Sequence, residues 1–542
     1  MQAEFPKNPF AGMTKGYSMF PNLRAGTPGI PGIWRARFTC WPLVPILAIA
    51  SFARFHRIGR EPLWIDEGYS WWDARQSFAD LWTLVPQCDP HPPLYFLLLK
   101  GWIALFGDSA MALRTPSAIL GIASTAVVYA AGREVDGERG RGIAWVAALL
   151  FALAPFQIYF SNEARPYALL CLGAALIVFG ALRVANGDLR VASRARALSG
   201  WIALGLGAAI VLWSNNTSVL LIASLATGLL LVYSFDRHRA LRWRIKPAVI
   251  VAIAVTLLWL PDVPVLLAQV REVSDDFWIQ PPNLARLHEE LHWLIGIDSW
   301  RAVWPMVALM AGGLALLAQR GLWREALVIA SLAILPVALN VAVSATVKPI
   351  LLARALIGAT PAFVLAIAAG VCLIGDRRLR AAAIVALVAA HAIGGQKLLA
   401  ATGIKEPWDR IAELVQHEGT SDHEESIAFV VPNEMALPLA HALAAKHVAV
   451  PIGGVPADFP ATGMNARYPS GKCAPSVVGQ DLSPIGAAAR GKQRVYLVTR
   501  RNNVYDPEDR VGAYLQAQGL TLSTVHEFNP GDLRILRFVP PS

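Results

Sequence analysis

Two neighbouring carboxylates, Asp66 and Glu67, stand in the segment Leu63-Trp64-Ile65-Asp66-Glu67-Gly68-Tyr69, followed by Trp71 and Trp72. A carboxylate held beside a hydroxyl can take its proton. Acidic residues at a helix start also cap amides and complement the helix dipole, which needs no chemistry. Consecutive residues do not share a helix face, so at most one of the pair should aim at a reacting hydroxyl, and Asp66 is preferred. A second motif, Asp89-Pro90-His91-Pro92-Pro93-Leu94-Tyr95, offers His91 as a donor to an anion, while a turn entering a helix would account for its prolines alone. In a third, Asn162-Glu163-Ala164-Arg165-Pro166-Tyr167, Glu163 and Arg165 could pair internally or contact substrate. Arg114, Lys348 and Arg354 form a fourth group, suited either to surface anchoring or to an anionic substrate, which matches arginine's fork.

The elements that must position these groups follow from composition and patterning. Of the 542 residues, 55% are hydrophobic and only 16% charged, as expected of a polytopic α-helical membrane protein rather than a soluble one. The net charge of +10 does not imply nucleic acid, because Lys and Arg cluster in short segments between apolar runs. Residues 1–37 include a Gly- and Pro-rich stretch without apolar periodicity and read as a mobile cytoplasmic arm; the first apolar run begins too late for a cleavable signal. That run, Phe38 to Phe55, ends with Arg54 near its boundary, where the guanidinium is expected to snorkel. Ten further runs follow: Thr115 to Ala131, Gly142 to Phe160, Tyr167 to Val184, Leu198 to Trp213, Ser218 to Tyr233, Pro247 to Leu260, Val303 to Ala318, Ala326 to Val343, Leu356 to Ile374 and Ala381 to Leu399. About eleven transmembrane helices result, within a membrane domain of residues 38–399.

Every second loop is basic: Arg133, Arg139 and Arg141; Arg183 to Arg196; Arg237 to Lys246; Arg320 and Arg324; Arg377 to Arg380. These loops share the cytoplasmic side with the N-terminal arm only if His91 to Phe106, short and carrying Lys100, is interfacial or re-entrant. The first outer loop is then residues 56–113, with juxtamembrane helices, and the four motifs fall on one extracytoplasmic face of the inner (plasma) membrane. Residues 400–542 regain charge and alternate short β-like runs with helical ones, so they form an extracytoplasmic soluble α/β domain, read as a lid or docking surface. Cys40, Cys88, Cys171, Cys372 and Cys473 have the spacing of neither a zinc site nor a disulfide framework. Cys88 and Cys473 could share the outer face but are expected to stay unbridged.

A carboxylate with several cations at the outer surface suits removal of a group from a lipid-linked phosphate. On these residues the chain resembles the GT-C superfamily of membrane glycosyltransferases, specifically the family 39-like group that includes protein O-mannosyltransferases and the lipid A aminoarabinose transferase. The resemblance covers Phe38 to Leu399 and is carried by Trp64 to Glu67, His91 to Tyr95, Leu113 to Ala118 and Asn162 to Tyr167, with Phe277 to Ile279 as a further feature. It implies a GT-C fold and an inverting transfer from a polyprenyl-phosphate sugar to a lipid, glycan or protein acceptor. Asp66, with Glu67 beside it, is the implied catalytic position, Asp66 as general base. His91, Arg114, Glu163, Arg165, Tyr167, Lys348 and Arg354 are the substrate-binding candidates, and Arg354, Lys348 and His91 form the candidate phosphate clamp. Glu163 matches the superfamily's second acidic position, which binds a metal in some members and only hydrogen bonds in others, so no metal ligand and no cofactor is assigned, and a divalent metal is left open. His91 stands where some relatives have lysine, and Ala355 where many have tyrosine. The expected partners are the donor, the acceptor and membrane lipids, with no nucleic acid. The alternatives are a polytopic lipid or glycan transporter or flippase, and a catalytically silent relative acting as an assembly subunit.

Overall fold

The computed structural model describes residues 43–135, 140–186, 194–235, 242–272, 279, 281–297, 299–418, 426–464, 473–500 and 505–541. The expected arm at residues 1–37, the start of the first span, Phe277, Trp278 and the loop residues Arg139, Arg190, Arg237 and Arg239 lie outside the described residues.

Apart from short turns, the chain opens with α1 (Leu43–Phe55), α2 (Ile65–Arg75), α3 (Leu94–Phe106) and α4 (Ala110–Arg133). It continues through α5 (Gly140–Leu153), α6 (Pro155–Ser161), α7 (Tyr167–Ala185), α8 (Arg194–Leu212), α9 (Ser218–Phe235) and α10 (Arg242–Trp259). After α11 (Leu284–Ile295) come α12 (Val303–Gln319), α13 (Trp323–Thr346), a 3-10 segment at Ala353–Ala359, α14 (Thr360–Cys372) and α15 (Arg377–Ala400). Among the described residues, nine helices are long and apolar enough to cross a membrane, and α5 with α6, bent by 58°, makes a tenth span. The expected count of about eleven needs α1, of which 13 residues are described. The chain is a multi-pass membrane protein. The stretch expected to skirt the membrane is the short apolar helix α3.

Small residues let the central helices meet. A Cβ added at Gly180 of α7 would come 2.6 Å from the Gly200 carbonyl, and one added at Gly207 of α8 would come 2.5 Å from the Gly173 carbonyl, so these backbones pack in direct contact. The break between α5 and α6 corrects the expectation for Arg54. Ala154, the residue before Pro155, is extended, which leaves the last carbonyls of α5 without helical donors. Arg54 turns inward to them: it is fully buried, with Nη1 3.2 Å from the Ala152 carbonyl and Nε 3.1 Å from Ser161 Oγ. A buried guanidinium supplied with acceptors has no need to snorkel.

The C-terminal region is a five-stranded sheet of order β2-β1-β3-β5-β4, formed by β1 (Ser426–Val431), β2 (Ile452–Gly454), β3 (Arg494–Arg500), β4 (Thr521–Phe528) and β5 (Leu533–Val539). The first three strands are parallel, and β5 pairs antiparallel with both β3 and β4. Two apolar clusters sandwich the sheet. One contains α16 (Trp408–Glu418) and α17 (Ala436–Ala445) with Trp408, Leu439 and Val430; the other contains Val431, Leu497 and Val511.

This sheet region is fastened to α2. A Cβ on Gly68 would lie 3.0 Å from the Pro438 ring, and Tyr69 and Trp72 set their edges against Phe459 at 5.4 and 5.0 Å. The Tyr69 hydroxyl donates to the Glu434 carboxylate. Cys88 and Cys473 are bridged, with their Cα atoms 5.4 Å apart, which corrects the expectation that they stay apart. Their separation of 385 residues hid the pairing from any spacing rule. A non-reduced digest of the purified chain should contain a Cys88–Cys473 cross-linked peptide that reductant resolves; both cysteines alkylated without reductant would contradict the fold here.

Candidate active site

The first turn of α2 divides its two carboxylates. Successive side chains on a helix diverge by about 100°, so Glu67 turns into the protein while Asp66 stays on the rim. Glu67 is fully buried, accepting from Arg114 Nε at 2.7 Å and Nη2 at 2.6 Å, from the Ala164 amide at 3.0 Å, and pairing with Lys405 Nζ at 2.9 Å. Burial opposes its ionisation, but Arg114 and Lys405 outweigh that and hold its carboxyl down at about 2. A carboxylate so engaged is a poor base, and the geometry leaves Glu67 a structural part.

Arg114 was expected to be a cation open to substrate; its guanidinium is instead spent on protein. Besides Glu67, Nη1 donates to the carbonyls of Ile58 and Glu61 at 2.9 and 2.8 Å, and Nη2 to that of Pro62 at 2.8 Å, with the side chain 2% exposed. It clips residues 58–62, α2 and α4 together.

Asp66 has a different environment. Its Oδ2 lies 2.9 Å from Arg354 Nη1, and the two side chains keep about a quarter of their surface exposed, 24% and 28%. Arg354 sits in the 3-10 segment, whose first amide, Ala353 N, donates to Glu290 of α11 at 2.5 Å; Glu290 in turn pairs with Arg286 at 2.8 Å. The Arg354 guanidinium lies 6.0 Å from the Tyr167 ring centre, and the His91 ring meets Tyr167 edge-on at 5.7 Å. Lys348 is on the stretch between α13 and this segment, six residues before Arg354.

Arg165 and Glu163 do not pair with each other. Arg165 Nη1 donates to Asp89 Oδ2 at 2.8 Å, to the Asp66 carbonyl at 3.0 Å and to Ser70 Oγ at 3.2 Å, while Nη2 lies 3.0 Å from His91 Nδ1. Asp89 Oδ1 also meets His91 Nδ1 at 2.5 Å. Burial lowers the His91 imidazole, and Asp89 resists that shift. Arg165 thus ties the histidine loop to the start of α2. Glu163 is fully buried with both carboxylate oxygens lacking a hydrogen-bond partner among the described residues. Burial pushes it up to about 7; Lys405 opposes, while Glu67 and Asp66 add to the push.

Sequence reasoning missed Lys405, Asp89, Glu290 and Glu406. Lys405 leaves the membrane helices on the linker to the sheet region, and its Nζ donates to the Asn162 carbonyl at 3.3 Å and lies 4.0 Å from Glu163 Oε1. Burial pulls its ammonium below the ordinary lysine range, and Glu67 resists. Next to it, Glu406 Oε2 accepts from the Ile65 amide at 3.1 Å and from Trp408 Nε1 at 2.8 Å, and its other oxygen meets Arg500 of β3. A lone lysine in a linker has no motif around it. Asp89 was visible in its motif but had no evident partner.

A metal at Glu163 does not fit these residues. The Lys405 ammonium lies 4.0 Å from its carboxylate, Glu67 is occupied by two cations, and no group of three His, Cys, Asp or Glu able to hold a metal exists among the described residues.

ArnT from Cupriavidus metallidurans in the apo state superposes with a TM-score of 0.60 at 16% identity, covering 93% of this chain and 100% of that one. The chain has the GT-C fold. The same ArnT bound to undecaprenyl phosphate matches at 0.59 and 15% identity, covering 95% and 100% of the two chains. The oligosaccharyltransferase of Archaeoglobus fulgidus in complex with Zn and sulfate matches at 0.52 and 14%, over 91% of this chain and 72% of that one. The family model described as dolichyl-phosphate-mannose-protein mannosyltransferase matches residues 90–261, a stretch that includes His91, Arg114 and Glu163. No curated protein sequence matches the chain. The resemblance to the GT-C superfamily seen in the motifs is borne out in the fold, sheet region included.

Arg114→Met leaves Glu67 buried without its fork and should destabilise the chain by about 3–5 kcal/mol, read as a lowered unfolding midpoint in detergent. Arg114→Lys should recover only part of that loss, because an ammonium cannot reproduce the two parallel bonds. An unchanged midpoint in both variants would overturn the structural role of the pair.

Proposed function

We propose that the chain is an inverting glycosyltransferase that moves a sugar from a polyprenyl-phosphate-sugar donor to a hydroxyl of a lipid, glycan or protein acceptor at the outer face of the cytoplasmic membrane. The observation that carries this reading is the rim pair Asp66–Arg354, a carboxylate and a guanidinium 2.9 Å apart and both partly exposed, beside Tyr167. The neighbouring carboxylate and the neighbouring arginines Arg114 and Arg165 are buried, whereas this pair lies partly exposed at the rim.

In the proposed reaction the donor phosphate draws Arg354 off Asp66, with His91 and Lys348 as further contacts. The released Asp66 carboxylate takes the acceptor O–H proton as the oxygen attacks the anomeric carbon. The bond from that carbon to the phosphate oxygen breaks, its electron pair leaves with the polyprenyl phosphate, and Arg354 stabilises the charge that develops there. Attack opposite the leaving group inverts the anomeric configuration. The undecaprenyl phosphate bound by the ArnT relative supports a lipid-linked donor. The Cys88–Cys473 bridge, beside the Asp89–His91 motif, supports an oxidising, extracytoplasmic location for this end of the bundle and for the sheet region.

Asp66→Asn, nearly isosteric, should lower transfer from a polyprenyl-phosphate sugar by about 10²–10⁴-fold, the usual weight of a general base, while the chain still inserts and forms the Cys88–Cys473 bridge. Retained transfer in a folded Asp66→Asn chain would end this assignment.

A further inference from the structure

The disagreement between Glu163 and a metal site has a positive content. Three carboxylates, Asp66, Glu67 and Glu163, gather at the head of α2, and three cations balance them. Arg354 faces Asp66, Arg114 holds Glu67, and the third cation is Lys405, 2.9 Å from Glu67 Oε2 and 4.0 Å from Glu163 Oε1. Lys405 is fixed there by the Asn162 carbonyl at 3.3 Å, one residue before Glu163. We propose that the Lys405 ammonium supplies beside Glu163 the positive charge that a divalent cation supplies in metal-using relatives, so that transfer by this chain requires no metal and depends on Lys405 as a positioning residue. This inference rests on the glycosyltransferase reading above.

The supporting chemistry is specific. A divalent cation needs several oxygen or nitrogen donors converging on one point, whereas the point between Glu67 and Glu163 is occupied by an ammonium that would repel it. Without Lys405, Glu163 would lose the cation beside it and keep two carboxylates as neighbours, whose own cations Arg114 and Arg354 are already paired, an arrangement that favours the protonated carboxyl. Lys405 therefore favours the ionised form of Glu163 from 4.0 Å away. It is delivered by the linker whose next residue, Glu406, accepts from the Ile65 amide at 3.1 Å and pairs with Arg500 of the sheet. Seating of the C-terminal region on α2 and completion of the charge cluster are thus one event, which gives that region a part in the site beyond covering it.

The groups that act on Glu163 are Lys405, Glu67, Asp66 and Tyr159 of α6, together with the Arg114 and Arg354 guanidiniums and the Tyr95 and Tyr167 phenols. Lys405 is the group that most opposes protonation of Glu163, so removing it must make the carboxyl titrate at higher pH. Whichever form of Glu163 supports transfer, the limb of the pH–rate profile that it governs should then move upward.

The test uses the full-length chain in lipid nanodiscs with a polyprenyl-phosphate sugar. Elemental analysis of the wild type should find no stoichiometric divalent metal, and treatment with a chelator should leave transfer unchanged. Lys405→Met should lose about 10²-fold in kcat, the scale of one misplaced charge-stabilising group, with the Glu163 limb shifted to higher pH; Lys405→Arg should restore the rate and the limb in large part. The Cys88–Cys473 cross-linked peptide reports that each variant has folded. A bound metal whose removal abolishes transfer and whose return restores it would overturn the proposal, as would a folded Lys405→Met chain with a wild-type pH profile. If Lys405→Met does not fold, the wild-type metal content and chelator response decide alone. A folded wild-type chain that moves no sugar from any polyprenyl-phosphate donor would instead defeat the glycosyltransferase reading, leaving the metal analysis to stand by itself.

Discussion

The buried pairing of Glu67 with Arg114 is the interaction on which the site depends. Its carboxylate gathers the Arg114 fork from α4, the Ala164 amide from the turn before α7 and the Lys405 ammonium from the linker to the sheet. Four segments that are remote in sequence therefore meet at one group. A charge in such a place is costly unless every lone pair is matched, and here the matching itself defines where α2 starts and how it is rotated. Asp66, one residue earlier, is turned to the rim as a consequence.

This gives the two adjacent acids opposite tasks. Glu67 is held ionised by cations, whereas Asp66 has a partly exposed cation as partner, which in the proposed reaction the donor phosphate draws away. Arg114 and Arg165 make the same division among the cations, because both spend their donors on carbonyls and carboxylates that hold the frame, whereas Arg354 projects from a short 3-10 turn anchored by Glu290. Positioning is thereby separated from reaction, as a site that must hold its geometry at a lipid surface requires.

Much of the fold was legible because lipid imposes long apolar runs, and the positions of Thr115 to Ala131 or Tyr167 to Val184 fall within α4 and α7. The divergence of Asp66 and Glu67 was also legible, since helix geometry alone dictates it. What was not legible is pairing at a distance. Nothing local to Arg114 says that residues 58–62 will present three carbonyls to it, nothing near Arg54 announces the broken helix that offers it acceptors, and the separation of 385 residues between Cys88 and Cys473 carries no spacing signal. Lys405 is the sharpest case: a lysine in a polar linker looks solvated until the fold buries it between two glutamates.

The measurement that bears most directly on the account is a structure of this chain with a polyprenyl phosphate bound in nanodiscs. Phosphate oxygens should lie within hydrogen-bond distance of the Arg354 guanidinium, with the Asp66–Arg354 contact opened and the Glu67–Arg114 pair unmoved. A phosphate bound elsewhere with Asp66 still paired to Arg354, or bound in place of Glu67 on Arg114, would contradict it.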